Sequence, residues 1–131
     1  GANRTFCRRA SRCTAGNGRV FKTFVTVAKS GNHYVFMIPA EKELDLKASA
    51  HAVSEKSIEM LKSKELLPLT GYVHGGCSPI GMKKPFKTIV DKSALNFETI
   101  MFSAGKIGYQ VEVSPLDLEK IIHVDFSKIT D

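Results

Sequence analysis

No apolar run in this sequence approaches the roughly 20 residues that a membrane-spanning helix requires, and the first residues carry arginines without the apolar stretch of a signal peptide. A cytoplasmic protein with no membrane attachment is the expectation. Cysteine is scarce: Cys7, Cys13 and Cys77 make an odd count without CxxC spacing, and no histidine pair lies nearby to complete a zinc site. Reduced thiols, no metal and no cofactor are therefore expected. The GxGxxG fingerprint is missing, as are long crossover helices, which argues against a Rossmann sheet. No internal repeat or low-complexity linker divides the chain, and 131 residues suit one domain that buries roughly two thirds of its unfolded surface. Acids are absent from residues 1–40, where all five arginines (Arg4, Arg8, Arg9, Arg12 and Arg19) fall with Lys22 and Lys29; the other 91 residues carry 12 Lys against 13 Asp and Glu. A basic arm of this kind can bind RNA phosphates by releasing counterions, or it can be a disordered or non-native end.

The stretch GYVHGGCSPIGMKK, residues 71–84, sets two adjacent glycines before Cys-Ser-Pro. Gly75 and Gly76 lose more backbone entropy on folding than other residues, so a sharp turn or a close approach of backbone to a ligand is their use. Ser78 before Pro79 is pushed toward extended geometry, which would turn the Gly76, Cys77 and Ser78 amides outward as donors for an anion or a carbonyl oxygen. A plain turn between strands fits the same residues.

Around this loop the pattern is α/β, with about six strands. Residues 20–28 and 33–38 read as a hairpin about Gly31-Asn32, closed by Pro39. Asp45 caps a short helix through Val53, and Ser63 starts another that Pro68 and Gly71 stop. Further strands are expected near 72–74, 86–90, 99–103 and 109–113, the last alternating Tyr109, Val111 and Val113 against Gln110 and Glu112. Ser114-Pro115-Leu116-Asp117 opens a helix to about Ile122 with proline at its first position. A mixed, partly closed sheet with peripheral helices is the expected architecture.

Several residues could carry chemistry. Lys22 stands on a predicted strand with Val20, Phe24 and Thr26 on its face, while Phe21, Thr23, Val25 and Val27 look like the core side; it could meet a phosphate or a carbonyl oxygen, or be a solvated strand lysine. In FSAGKIG, Ser103 ends a strand and Gly105, Lys106 and Gly108 permit a phosphate-cradling turn, a common pattern. Nothing supplies the His and Asp of a serine triad in context, so a hydrogen-bonding role suits Ser103. Cys77 with His74 three residues away suggests a cysteine hydrolase, but residues so spaced in an extended loop need not face each other; a packing thiol is the other reading. His33, His51 and His123 read as surface or core residues, and Asp91 as the cap of a turn. Lys83, Lys84 and Lys87 form a basic patch that could hold nucleic-acid phosphates or only be a solvated face.

The segments VFKTFV (20–25), VFMIPAEKELDLK (35–47), TGYVHGGCSPIGMKK (70–84), FKTIVDKSA (86–94), FSAGKIG (102–108) and SPLDL (114–118), in this order and spacing, resemble the YbaK/EbsC family. These are free-standing aminoacyl-tRNA deacylases related to the editing domain inserted in bacterial prolyl-tRNA synthetases. The resemblance runs from about Arg19 to the C-terminus, which divides the chain into an atypical basic segment, 1–18, and a YbaK-like domain, 19–131. The family opens with a helix and a strand that help wall the pocket, and neither is visible in GANRTFCRRASRCTAGNG. What the resemblance implies is a mixed α/β fold with a partly closed sheet or barrel, and trans-editing hydrolysis of mischarged tRNA, Cys-tRNA(Pro) first and Cys-tRNA(Cys) beside it. It makes Lys22 of the Lys-Thr pair, Gly75 and Ser103 the catalytic groups. Thr23, Gly76, Cys77, Ser78, Pro79, Gly105 and Lys106 become substrate-binding residues. Relatives carry a small apolar residue where Cys77 stands. Prolyl-tRNA synthetase is an implied partner, and a monomer or weak dimer is expected. A catalytically silent module that binds a tRNA acceptor end or a nucleotide is the alternative.

Overall fold

The hairpin expected about Gly31 is the spine of the molecule: β2 (Phe21–Ala28) pairs antiparallel with β3 (His33–Pro39), and Gly31 takes a φ of +94° in the turn between them. The computed structural model describes residues 5–7 and 18–131. On either side of the hairpin a sheet of five strands is completed in the order β4-β2-β3-β5-β8, with β4 at Ile58–Met60, β5 at Thr88–Asp91 and β8 at Val124–Ser127. The β3–β5 and β5–β8 pairs are parallel and the others antiparallel, so the sheet is mixed as expected. A second sheet has the order β1-β7-β6, with β1 at Thr5–Cys7, β6 at Ile100–Ser103 and β7 at Gln110–Val113. The sheets meet through one parallel bridge, Val20 to Met101, and do not close into a barrel.

The junction is reinforced by Arg19. Its carbonyl accepts the Met101 N–H at 2.9 Å, and its guanidinium donates to the Glu112 carboxylate and to the Thr99 hydroxyl, which also donates to Glu112. Alternation along the strands then fills both faces of the larger sheet. Phe36, Ile38, Ile89 and Ala28 pack with Ala50 and Val53 of helix α1 (Leu46–Ala52), while Met37, Val90 and Phe21 pack with Phe102, Val111 and Val113 of the second sheet and Leu118 of helix α3 (Pro115–Ile121). A third cluster of Val25, Val35, Leu66 and Cys77 lies under helix α2 (Ser63–Thr70). Neither face of β2 is therefore left to solvent: Thr26, placed on the Lys22 face, is fully buried and donates to the Tyr34 carbonyl at 3.1 Å.

Local signals explain the helix ends. The Asp45 carboxylate accepts the Ala48 N–H at 3.0 Å and the Ser114 hydroxyl accepts the Leu116 N–H at 3.2 Å, both as N-caps, with Pro115 at the first position of α3. Helix α2 does not stop at Pro68. It runs to Thr70 and ends where Gly71 adopts φ +87°, because a helix this short forgoes a single N–H at Pro68 while the left-handed cap takes its last turn. The strand expected at 72–74 is absent; Val73 to Gly76 form a turn instead. Residues 58–60 and 124–127 are strands that the sequence pattern did not show. Most of the basic N-terminal segment lies outside the described residues, but Thr5–Cys7 pair with Gln110–Glu112 of β7, a strand where the sequence showed none. Among the described residues no helix is long and apolar enough to cross a membrane.

Asp91 fastens the C-terminal end. It is 3% exposed, caps the 3-10 turn Lys92–Asn96 through the Ser93 N–H and hydroxyl, and with its other oxygen accepts from the Ile129 N–H at 3.1 Å and the Thr130 hydroxyl at 3.3 Å. Replacing Asp91 by Ala leaves the buried Ile129 N–H unpaired, so urea denaturation of Asp91→Ala is expected to show a loss of about 2–4 kcal/mol. A loss below about 0.5 kcal/mol would contradict this role.

Candidate functional site

Among the described residues, strand β2 is paired along its whole length on one side only. Ala40 N donates to the Val20 carbonyl and Ala28 N to the Asn32 carbonyl, so residues 20, 22, 24, 26 and 28 hydrogen-bond toward β3. The backbone groups of Phe21, Thr23 and Val25 consequently point to the other edge. There, β4 pairs with Thr26–Ala28, Leu61 N donates to the Val25 carbonyl at 3.0 Å, and β6 reaches β2 at Val20. Between these attachments no described residue pairs with the edge at Thr23, which faces a cleft of about 490 Å³.

The cleft wraps that edge, so both faces of β2 contribute to its lining. Thr23 and Val25 come from one face, and Lys22 and Phe24 from the other, with the Lys22 ammonium 5.2 Å from the centre of the Phe24 ring. Opposite stand His74, Gly75 and Cys77 of the diglycine loop, then Ser103 and Gln110, which are directly paired across β6 and β7. Of the residues singled out in the sequence, Lys22, Thr23, Gly75, Cys77 and Ser103 are brought together here. Gly76, Ser78, Pro79, Gly105 and Lys106 are not among its lining.

Each of the outlying residues has a visible structural task. Gly75, at φ +86° with His74 before it at negative φ, forms a turn of type II pattern in which Gly76 N donates to the Val73 carbonyl at 3.0 Å. The Gly76 amide is therefore taken up inside the loop and does not point outward as expected, because closing the turn uses it. A Cβ on Gly76 would sit 3.2 Å from the Ile107 backbone nitrogen, so its glycine permits the close contact of two loops. Ser78 is 2% exposed and accepts the Ile80 N–H at 3.2 Å. Pro79 lines a separate hollow with Lys84 and Phe86. Gly105 lies against Tyr72, where a Cβ would come within 2.7 Å of the ring, and Lys106 extends over the Tyr109 ring at 5.3 Å.

Two polar atoms in the cleft are buried and have no hydrogen-bond partner among the described residues: Thr23 Oγ1 and Gln110 Oε1. Leaving such groups unmet is costly, and a pocket that does so is ready for a ligand bearing an acceptor and a donor. Gln110 was not singled out by the sequence. Its alternation with Val111 placed it on a polar face, but only the pairing with Ser103 shows that this face borders the cleft. The Ser103 hydroxyl already accepts the Gly105 N–H at 3.2 Å and keeps its own proton to donate.

The model of the aminoacyl-tRNA editing domain family matches residues 6–121. A protein of Enterococcus faecalis named "Putative Cys-tRNA(Pro)/Cys-tRNA(Cys) deacylase EbsC" is 46% identical over 113 residues, covering 86% of this chain and 69% of that protein. This chain belongs to the aminoacyl-tRNA editing domain family. A proline–tRNA ligase of Lactobacillus gasseri is 24% identical over 99 residues, which span 76% of this chain and 17% of the ligase. A solved structure described as "a putative trans-editing enzyme for prolyl tRNA synthetase" shares the fold at a TM-score of 0.85 and 22% identity, over 93% of this chain and 76% of that one. The family match begins at residue 6, upstream of Arg19, where the sequence resemblance began.

Within this editing domain Cys77 has the environment of a packing thiol. It is 7% exposed among Val25, Val35 and Leu66, and burial pushes its pKa up to about 11. The neutral thiol is the form present at pH 7, and the thiolate, which is the nucleophile, is withheld. In a Cys7→Ser, Cys13→Ser background, alkylation of Cys77 by iodoacetamide should still be rising above pH 9. At pH 7 it should be about a hundred-fold slower than that of an ordinary thiol on ionisation alone. A labelling midpoint below pH 9 would contradict the burial argument.

Proposed function

We propose that this editing domain hydrolyses mischarged aminoacyl-tRNA in trans, with Cys-tRNA(Pro) as its principal substrate and Cys-tRNA(Cys) beside it. The observation that carries the proposal is the cleft at the open edge of β2, where Lys22, Thr23, Gly75, Ser103 and Gln110 surround a volume suited to an amino acid ester. The relationship to the Enterococcus faecalis protein supports the choice of cysteine.

An aminoacyl-tRNA is an activated ester, so positioning and charge stabilisation can supply most of what its hydrolysis needs. Lys22, reaching the cleft from the far face of β2, holds the 3′-terminal ribose or the ester carbonyl. Gln110 Oε1 has only lone pairs to offer there and suits the α-ammonium of the amino acid, while the Thr23 and Ser103 hydroxyls donate to ester or ribose oxygens. With Gly76 N engaged in its turn, the Gly75 and Cys77 amides are the donors the loop contributes to the developing oxyanion.

For a cysteinyl ester the nucleophile is the substrate's own thiol. It loses its proton and attacks the carbonyl carbon, the bond to the ribose oxygen breaks, and that oxygen leaves protonated; water then opens the cyclic thioester to free cysteine. Ring strain opposes the first step, and orientation favours it, since well-placed neighbouring groups reach effective molarities of about 10⁵ M or more. Such a mechanism gives selectivity that pocket volume alone does not, because one methylene changes binding by only about 1–3 kcal/mol. The substrate is single-stranded at the reacting end, so RNA recognition falls on the acceptor terminus, and prolyl-tRNA synthetase as a partner would supply tRNA identity. A cytoplasmic monomer or weak dimer suits this role.

The test is single-turnover release from Cys-, Ala- and Pro-tRNA(Pro). Cysteine is expected to be released fastest, with at least a hundred-fold loss in Lys22→Ala, about ten-fold in Gln110→Ala, and activity retained in Cys77→Ala. Faster release of alanine would reassign the substrate. Release abolished in a folded Cys77→Ala would replace substrate assistance by an enzyme thiol, and no release from any ester would leave acceptor-end binding as the function.

A further inference from the structure

Ser103 and Gln110 close the β6–β7 ladder, and the six residues between them form a loop that projects beyond the cleft. It is a tight structure: Ala104 N donates to the Tyr109 carbonyl at 3.0 Å and Tyr109 N to the Lys106 carbonyl at 3.1 Å, with Gly105 and Gly108 at positive φ. It exposes apolar residues where solvent would favour polar ones, Ile107 near its tip and Tyr109 at its base opposite Ala104. Ile107 is 64% exposed and Tyr109 36%, and Val73 of the facing turn is 46% exposed. The tip also lies directly over the diglycine turn, since Cβ atoms on Gly75 and Gly76 would stand 3.9 and 3.4 Å from Ile107 Cγ1. An apolar, aromatic surface with a cation, Lys106, over its ring therefore borders the mouth of the cleft.

We propose that this loop is the stacking platform for the 3′-terminal nucleobase of the tRNA, with Lys106 directed to the adjoining phosphate; the proposal rests on the deacylase reading of the cleft. If the amino acid lies between Lys22, Ser103 and Gln110, the base is one ribose away, and the surface it meets at that distance is the β6–β7 loop. Unpaired bases are held by stacking on aromatic and apolar side chains with a basic group beside the backbone, which is the combination at Ile107, Tyr109 and Lys106. The other ring with a lysine over it, Phe24, is packed against the α1 cluster and has less surface to offer.

The test combines binding of a CCA trinucleotide, followed by NMR of the Ile107 methyls and the Tyr109 ring, with deacylation by Tyr109→Ala and Tyr109→Phe, each checked for folding by circular dichroism. Shifts are expected at Ile107 and Tyr109. Tyr109→Ala should raise the half-saturating Cys-tRNA(Pro) concentration about ten-fold, and Tyr109→Phe, which keeps the ring, should restore it. Shifts confined to other parts of the molecule, or an unchanged half-saturation in Tyr109→Ala, would overturn the platform while leaving the deacylase reading in place. Shifts at the loop in a protein that releases no ester would support the platform and overturn the deacylase reading.

Discussion

Among the described residues the edge of β2 is held at both ends and free in the middle, and the cleft lies at that interruption. Toward its C-terminal end the edge pairs with β4, and at Val20 it is bridged to Met101 of the second sheet. An unpaired edge is ordinarily a hazard, open to any strand that approaches. Here the β6–β7 hairpin, the diglycine turn and α2 stand around it, so the gap admits a small molecule and excludes a strand. Next to the Val20–Met101 bridge, the bonds of Arg19 to Thr99 and Glu112 fasten the second sheet to the first. A pocket built this way takes its polar groups from backbone and from strand side chains whose positions are set by pairing.

The same arrangement decides what kind of chemistry is available. Burial has two opposite effects within a few residues. It raises the pKa of Cys77 and removes it as a nucleophile, and it leaves Thr23 Oγ1 and Gln110 Oε1 dry and unmatched. The protein thus offers directed dipoles and one lysine in place of an activated attacking group. For an amide substrate that would be a poor catalyst. For an activated ester, whose barrier is lower and whose own side chain attacks in the proposed reaction, fixed dipoles would be the larger contribution.

Much of the framework was legible because it rests on local signals. The β2–β3 hairpin follows from alternation and Gly31, and the caps at Asp45, Asp91 and Ser114 follow from side chains that accept the first free N–H groups of a helix or turn. Strands β4 and β8 were invisible for the opposite reason: three or four residues carry no readable period, and Ile58–Met60 and Val124–Ser127 are strands only because β2 and β5 present edges to them. Of the two stops assigned to α2, Gly71 holds and Pro68 does not, since a helix of eight residues is ended by its cap and not by one missing donor. Lys22, Gly75 and Ser103, to which the family resemblance pointed, line one cleft. The resemblance did not indicate that Lys22 approaches from the opposite face of β2 to Thr23, which requires knowing that the cleft wraps an edge.

Glycine shows how function and packing divide within one loop. The pair Gly75-Gly76 invites the reading that both amides serve a ligand, yet only the first residue lines the cleft, while the second lets the Ile107 backbone approach and gives its own N–H to Val73. That contact joins the diglycine turn to the β6–β7 loop, so the two walls of the mouth are fixed to each other as well as to their own strands. Residues inside the cleft are constrained by register, and changing them alters the sheet. Ile107, at the loop tip, is constrained by neither register nor core, and Tyr109 is held through its backbone bonds to Ala104 and Lys106. A large apolar side chain there gains little from folding and leaves apolar surface in water, and it is this surface that the proposed nucleobase contact would cover.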